Sequence, residues 1–265
     1  MNTKSLPIAF PLRAWLAVEV LFGVGAVLAV GLAPADTATN FAWPIQPVVM
    51  AAVLGVFYIT SAPLFLFPLL AKRWEMIRVM ILPAALFSTI QLAATFLHWD
   101  KFSVGTLPFY VWFASYLLPP PLFVASYLWH QKRIGEAAPI SPEDQIPAWL
   151  RTLLLVLGVS LSLIAFIAFF FPNAIIPIFP WKLTPLTVAV GTLMLSMRYW
   201  NSRVRSRLGT PMLMLLLPAL LMQMSRYADE VNWGSPVLWA GLILFALTGL
   251  SGLVLAIGNW REPLN

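Results

Sequence analysis

Cysteine is absent from the chain, and histidine occurs only twice, as His98 and His130. Without cysteine the protein has no disulfide, no thiolate metal ligand and no cysteine nucleophile. The two histidines follow successive apolar runs, which places them on opposite sides of a membrane and argues against a shared haem or metal centre. Phosphate-binding glycine loops and the His-Glu-x-x-His and Gly-x-Ser-x-Gly patterns of hydrolases are missing too. The sequence thus predicts no metal and no cofactor, and it favours a non-enzymatic protein over an enzyme.

Charged residues are also scarce. They make up 10% of the chain, whereas hydrophobic residues make up 60% and the mean hydropathy is +0.85. A soluble globule carries about 25% charged residues to cover its surface, so most of this surface must face lipid. The net charge of +6 does not indicate nucleic-acid binding, because the basic residues lie between apolar runs rather than together on one polar face. We expect an integral membrane protein whose partners include membrane lipids and exclude nucleic acids.

Eight apolar runs are long enough to cross a bilayer, whose hydrocarbon core of about 30 Å requires roughly 20 helical residues. The runs are continuous rather than alternating, which is typical of transmembrane helices and not of barrel strands. The predicted fold class is therefore all-α, with eight transmembrane helices. The first run resembles a secretory signal, but we expect it to be retained because Glu19 would interrupt the apolar region of such a signal. The predicted spans are Ala14–Leu32, Pro44–Leu70, Met76–Leu97, Pro108–Trp129, Trp149–Phe171, Trp181–Trp200, Leu208–Arg226 and Val237–Gly258.

The eight runs form two sets of four that share sequence landmarks. The pattern Phe-x-Trp-x-[Ile/Leu]-x-Pro begins at Phe41 and again at Phe179. Three further pairs recur in the same order and at nearly the same separation along the chain: Ala14-Trp15-Leu16 with Ala148-Trp149-Leu150, Leu82-Pro83-Ala84 with Leu217-Pro218-Ala219, and Trp99 with Trp233. We predict two four-helix repeats, residues 1–131 and 148–265, joined by a solvated cytoplasmic linker at 132–147. Because each repeat has an even number of helices, the two should be parallel, with a pseudo-twofold axis along the membrane normal.

The distribution of basic residues predicts the orientation of these helices. Thirteen of the sixteen lysines and arginines lie at the N-terminus, in the even-numbered connections or at the C-terminus, and only Lys101, Lys182 and Arg226 lie on the other side. Lysine and arginine near short loops accumulate on the cytoplasmic side of a membrane. We therefore expect a multi-pass protein of the cell membrane with both termini in the cytoplasm.

Glu19 is the first candidate functional residue, because it lies inside the first predicted helix. Ionisable residues at membrane depth are costly and usually have a partner or a function. Two interpretations stay open. Glu19 could be a carboxylate that binds a proton or a cation, or it could form a structural ion pair with Arg78 or Arg151.

A second candidate group lies at the end of the seventh run, where Arg226 is followed by Asp229 and Glu230. At i+3 and i+4 the two carboxylates would share a helix face with the guanidinium group and neutralise it. Alternatively, Arg226 and Gln223 could hold an anionic or carbonyl-bearing ligand near the outer side. Three glutamines in apolar surroundings could donate interhelical hydrogen bonds or line such a site: Gln46, Gln91 and Gln223.

Three successive prolines, Pro119, Pro120 and Pro121, lie midway along the fourth run and should break or kink its helix. The corresponding point of the eighth run is near Gly249. Interrupted helices at matching positions of two repeats point to a central binding site, although a kink that only improves packing would give the same pattern. Four tryptophans are predicted near the outer membrane boundary, as an interfacial belt or as an aromatic vestibule for a ligand: Trp43, Trp99, Trp181 and Trp233.

Three hypotheses on function stay open. Duplication, broken helices and a few deep polar groups favour a protein that binds or translocates a small or lipophilic molecule within the helix bundle. Short loops and the lack of a catalytic motif fit an accessory or scaffolding subunit that assembles with other membrane subunits. An intramembrane lipid-modifying enzyme is disfavoured by the scarcity of histidines and acidic clusters.

Overall fold

The computed structural model describes residues 6–134, 140–171 and 184–257. Within these ranges the chain is helical and contains no β-strand, so the predicted all-α class is confirmed. The α-helices of the described residues are α1 (Phe10–Ala26), α2 (Thr37–Asn40), α3 (Val48–Ser61), α4 (Pro63–Leu70), α5 (Trp74–Leu97), α6 (Leu107–Leu117), α7 (Pro119–Ile134), α8 (Ala148–Phe170), α9 (Thr184–Trp200), α10 (Arg203–Ser206), α11 (Thr210–Arg226) and α12 (Pro236–Ile257).

Six helical segments of the described chain are long and apolar enough to cross a membrane, and they indicate a membrane protein. They are Phe10–Leu32, Val48–Leu70, Trp74–Leu97, Leu107–Arg133, Ala148–Phe170 and Pro236–Ile257. The other two predicted spans contain α9 and α11, which have 17 residues each and extend about 25 Å at about 1.5 Å per residue. Trp181, the predicted start of the sixth span, and most of the second copy of the Phe-x-Trp pattern lie outside the described residues.

Two of the six segments consist of two helices that meet at a proline. The helix α4 begins at Pro63, directly after α3, and α7 begins at Pro119, directly after α6. In the first turn of a helix, proline is tolerated because its missing N–H would have no intrahelical acceptor. The fourth run is therefore interrupted at its three prolines, as predicted.

The long helices pack in a closed circle. In the first half of the chain, α1 packs against α3 and α4, α5 packs against α6 and α7, and α1 also contacts α6 and α7. In the second half, α8 packs against α9, α11 against α12, and α12 against α8. The two halves meet mainly through two pairs, α9 with α5 and α11 with α3, and α10 also contacts α5 while α11 contacts α4. Each half therefore presents one helix from its second and one from its third predicted span to the other half.

Buried aromatic rings fill the bundle beneath the connection that precedes α3. Trp43 is only 1% exposed, and its ring centroid lies 4.6 Å from that of Trp112 and 4.9 Å from that of Phe102. The interpretation of Trp43 as part of an exposed interfacial belt was wrong, because the chain before α3 carries its indole into the protein. Trp99 is 40% exposed, as a boundary residue would be.

The described part of the predicted linker is packed against the second half. The Asp144 carboxylate accepts a hydrogen bond from the Val204 backbone N–H (2.8 Å) and another from the Ser202 hydroxyl. The Gln145 carbonyl accepts from Arg203 Nε (3.1 Å). These contacts fix residues 144–145 to the connection between α9 and α11, so this part of the linker is not the freely solvated loop that we predicted.

Candidate intramembrane polar site

Four polar side chains converge inside the first half of the chain, one from each of its four apolar runs. They are Glu19 on α1, Tyr58 on α3, Gln91 on α5 and Tyr116 on α6. The hydroxyl groups of Tyr58 and Tyr116 form a hydrogen bond of 3.1 Å. The Glu19 carboxyl group lies within electrostatic range of both phenols, and the Gln91 amide interacts with the Tyr116 hydroxyl. We call these four residues the polar cluster.

Neighbouring side chains hold the polar cluster in place. The Trp112 ring, one helical turn before Tyr116, lies 4.5 Å from the Tyr116 ring between centroids. Its Nε1 donates to Thr95 Oγ1 (3.0 Å), and the Thr95 hydroxyl donates to the Gln91 backbone carbonyl (2.9 Å). This chain of hydrogen bonds joins α6 to α5, so the tyrosine and the glutamine keep a fixed relative position.

Two buried acceptors of the polar cluster lack a hydrogen-bond partner among the described residues. They are Glu19 Oε1 and Gln91 Oε1. The Trp15 indole lies beside the Glu19 carboxyl group, yet within the described chain its buried Nε1 also makes no hydrogen bond. An unpaired buried polar atom costs roughly 1–3 kcal/mol, so these two oxygens are the acceptors of the polar cluster that an additional donor would stabilise.

The predicted ion pair of Glu19 is not found in the described part of the structure. Arg78 places its guanidinium carbon 3.7 Å from the centroid of the Trp200 ring. Arg151 Nε is buried and has no hydrogen-bond partner in the described ranges. Neither arginine therefore forms the structural ion pair that was one interpretation of Glu19.

The second candidate group does not form a single site. The helix α11 ends at Arg226 because Tyr227 leaves helical geometry (φ −119°, ψ 43°). Asp229 and Glu230 therefore belong to a separate 3-10 turn, and the prediction that they share a helix face with Arg226 was wrong. Glu230 Oε2 instead accepts a hydrogen bond from the Val49 backbone N–H (2.8 Å), in the first turn of α3. The helix dipole stabilises a carboxylate at this end of a helix.

Gln223 and Arg226 lie in different environments. The Gln223 side chain is buried, at 6% exposure, and its Oε1 is unpaired among the described residues. Arg226 is exposed, and its guanidinium carbon lies 5.4 Å from the centroid of the Tyr227 ring. The structure thus does not bring the two together as a pocket for an anionic or carbonyl-bearing ligand.

The three prolines and Gly249 differ in their relation to the polar cluster. The interruption before Pro119 comes shortly after Tyr116, so it adjoins the cluster. The helix α12, by contrast, is continuous through Gly249, so the matching interruption expected there was wrong. A glycine keeps its N–H and can stay in the helical ladder, whereas a proline cannot. A Cβ at Gly249 would lie 3.5 Å from the Leu213 carbonyl oxygen of α11, which makes this glycine a packing position.

Sequence reasoning missed both tyrosines of the polar cluster. A tyrosine in an apolar run has the same pattern as a phenylalanine in a packed core, and only its hydroxyl group gives it a polar role. The usable signal was the depth of Tyr58 and Tyr116, since both lie well inside their runs.

Among the described residues, no group of three or more histidine, aspartate or glutamate side chains could hold a metal ion. No family model, no curated protein and no solved structure matches the chain.

Proposed function

We propose that this protein binds or translocates a small or lipophilic molecule at the polar cluster in the first half of an eight-span bundle. The proposal places it in the cell membrane as two parallel four-helix repeats with both termini in the cytoplasm. The observation that carries the binding function is the presence of unpaired acceptors, Glu19 Oε1 and Gln91 Oε1, where the four runs of the first half converge.

The packing of α9 and α11 supports eight spans and a duplicated arrangement. Each of these helices lies between two membrane-spanning segments, α9 between α8 and α5, and α11 between α12 and α3. The two largest contacts between the halves are also reciprocal, because the second predicted span of each half packs against the third span of the other. A pseudo-twofold axis produces this reciprocity. A helix of 17 residues is close to the lower limit of about 17 residues for a span.

Cysteine labelling tests the span count, because the natural chain contains no cysteine. We expect single cysteines at the exposed positions Arg198 and Asn232 to react with an impermeant maleimide from opposite sides of the membrane, since α11 would cross between them. If α9 and α11 did not cross, both positions would lie on one side. Cysteines at Ala35 and Glu143, which are separated by three of the six candidate spans, provide the control for opposite-side labelling.

Glu19 has an apolar counterpart in the second half. When the halves are aligned on the landmark that begins at Ala14 and Ala148, Glu19 corresponds to Leu153. Packing alone would be served equally well by an apolar residue in both halves, so this difference supports a binding role in the first half.

Removal of one hydroxyl group tests the binding function. We expect Tyr116→Phe to lower the amount of co-purifying small molecule by about three- to tenfold, because it removes one hydrogen-bonding group and leaves Tyr58 unpaired. The molecule is measured by solvent extraction of the purified protein and mass spectrometry. Tyr110→Phe is the matched control, since Tyr110 lies on the same helix but is 56% exposed.

A different outcome would favour the accessory or scaffolding role. If the wild-type protein retained no small molecule but co-migrated with other membrane polypeptides in mild detergent, the binding proposal would fail. Equal ligand content in Tyr116→Phe and Tyr110→Phe would show that the bound molecule does not occupy the polar cluster.

A further inference from the structure

The unpaired atoms of the polar cluster indicate the chemistry of a ligand. Glu19 Oε1 and Gln91 Oε1 are both acceptors, and they belong to different helices. A ligand with several N–H donors can satisfy both at once, whereas a carbonyl or an anionic group can satisfy neither. A primary ammonium group has three donors and a positive charge, so it can satisfy both acceptors and neutralise the carboxylate.

The surroundings of Glu19 supply no compensating cation. No lysine, arginine or histidine nitrogen among the described residues lies within ion-pair distance of its carboxylate. Arg13, on the same helix, donates from both terminal nitrogens to the backbone carbonyls of Leu69 (3.1 Å) and Ala71 (2.8 Å). An isolated carboxylate in such a place is costly, so the group requires either a proton or a bound cation.

The helices packed against α1 bring phenols, and no charged side chain, to Glu19. Tyr58 comes from α3 and Tyr116 from α6, while α4 carries no ionisable residue. On α7 the ionisable groups near the packed face are engaged elsewhere. Tyr127 accepts from Gln131 Nε2 (2.9 Å), and His130 Nε2 accepts from the Ala9 backbone N–H (3.3 Å).

We propose that Glu19 is an exchange site at which a lipophilic primary ammonium ion replaces the carboxyl proton, one for one. The carboxyl group releases its proton to water. The ammonium group then donates to Glu19 Oε1 and Gln91 Oε1, and no covalent bond to the ligand forms or breaks. The inference rests on the proposed binding function and specifies its ligand class.

Calorimetry of the full-length protein in phosphatidylcholine nanodiscs tests the exchange. The probe is 2-phenylethylammonium, and its neutral analogue is 2-phenylethanol. Titration in two buffers of different ionisation enthalpy counts the protons released for each amine bound. We expect one proton per amine in the wild type, weaker amine binding at lower pH because protons compete, and no measurable binding of the alcohol.

Variants separate the charge of Glu19 from its structural role. We expect Glu19→Gln to weaken amine binding by roughly thirtyfold or more and to abolish proton release, because a buried charge loses its partner. Glu19→Asp should keep proton release with weaker binding, which separates a lost carboxylate from a misfolded protein. Glu143→Gln is the control, since Glu143 is an exposed carboxylate outside the bundle.

Equal binding of the amine and the alcohol, or proton release that persists in Glu19→Gln, would overturn the exchange proposal. The binding function would survive that result if Tyr116→Phe still lowered the content of co-purifying ligand. Complete absence of any bound molecule in the wild type would instead overturn both proposals together.

Discussion

Replacing Gly55 with alanine should lower the free energy of unfolding by about 2–3 kcal/mol, which is the usual cost of forcing extra atoms into a well-packed contact. Here α3 crosses the π-helical turn Val27–Leu32 that continues α1. A Cβ at Gly55 would lie 2.5 Å from Gly31 Cα and 2.8 Å from Gly31 N. Both are backbone atoms, so no side-chain rotation relieves the clash, and the two helical segments must move apart.

Gly23→Ala is the matched control for this substitution. It lies on α1, in the same span as Gly31, and a Cβ there would meet no atom within 4 Å among the described residues. Because alanine is favoured over glycine in a helix by up to about 1 kcal/mol, we expect Gly23→Ala to leave stability unchanged or raise it. Thermal denaturation in detergent measures both variants. Equal stability of the two would show that Gly55 and Gly31 are not in backbone contact.

A second glycine crossing lies between α8 and α9. A Cβ at Gly191 would lie 2.8 Å from the Gly158 carbonyl oxygen and would clash with the Ser162 hydroxyl. The separation between Gly55 and Gly191 along the chain matches that of the repeat landmarks, whereas Gly31 and Gly158 are closer together than the landmarks are. The second span of each half thus has a glycine at an equivalent position. The glycine that it contacts in the first span lies at a different position in each half. Small residues allow such close approach between membrane helices.

The six candidate spans were predictable because lipid imposes a simple requirement on sequence. A run that crosses hydrocarbon must be continuously apolar, so composition alone locates it. The predicted Met76–Leu97 corresponds to the observed Trp74–Leu97, and the predicted Ala14–Leu32 to Phe10–Leu32. The errors lie at the helix ends, where polar or aromatic residues continue the helix beyond the apolar run.

The contents of the site were predictable only in part, because they depend on which helices become neighbours. Glu19 stood out in the sequence as a charge in an apolar run, and Gln91 as an amide. Their convergence with Tyr58 and Tyr116 follows from packing among four helices, which no local pattern specifies. The burial of Trp43 and the end of α11 at Arg226 were missed for the same reason, since each depends on the path of a connection.

Arg78 provides the other large effect that we expect. Its side chain is only 2% exposed, and its guanidinium carbon lies 3.7 Å from the centroid of the Trp200 ring. This contact joins α5 of the first half to the end of α9 in the second. A desolvated cation–π contact contributes about 2 kcal/mol or more, against roughly 0.5–1 kcal/mol at an exposed position. We therefore expect a coupling energy of about 2 kcal/mol between Arg78 and Trp200 in a double-mutant cycle.

The same chain contains the control for this contact. Arg133 also places its guanidinium carbon 3.7 Å from a ring centroid, that of Trp129, but both side chains are exposed, Trp129 by 41%. The distance from guanidinium carbon to ring centroid is thus the same in the two pairs, and their burial differs. Double-mutant cycles with alanine at the two pairs therefore isolate the effect of desolvation. We expect at most about 1 kcal/mol for Arg133 with Trp129. If the two coupling energies were equal, burial would not strengthen the contact between the halves, and Arg78 would contribute through the volume of its side chain alone. Arg78→Met, which keeps most of that volume without the charge, would then be as stable as the wild type.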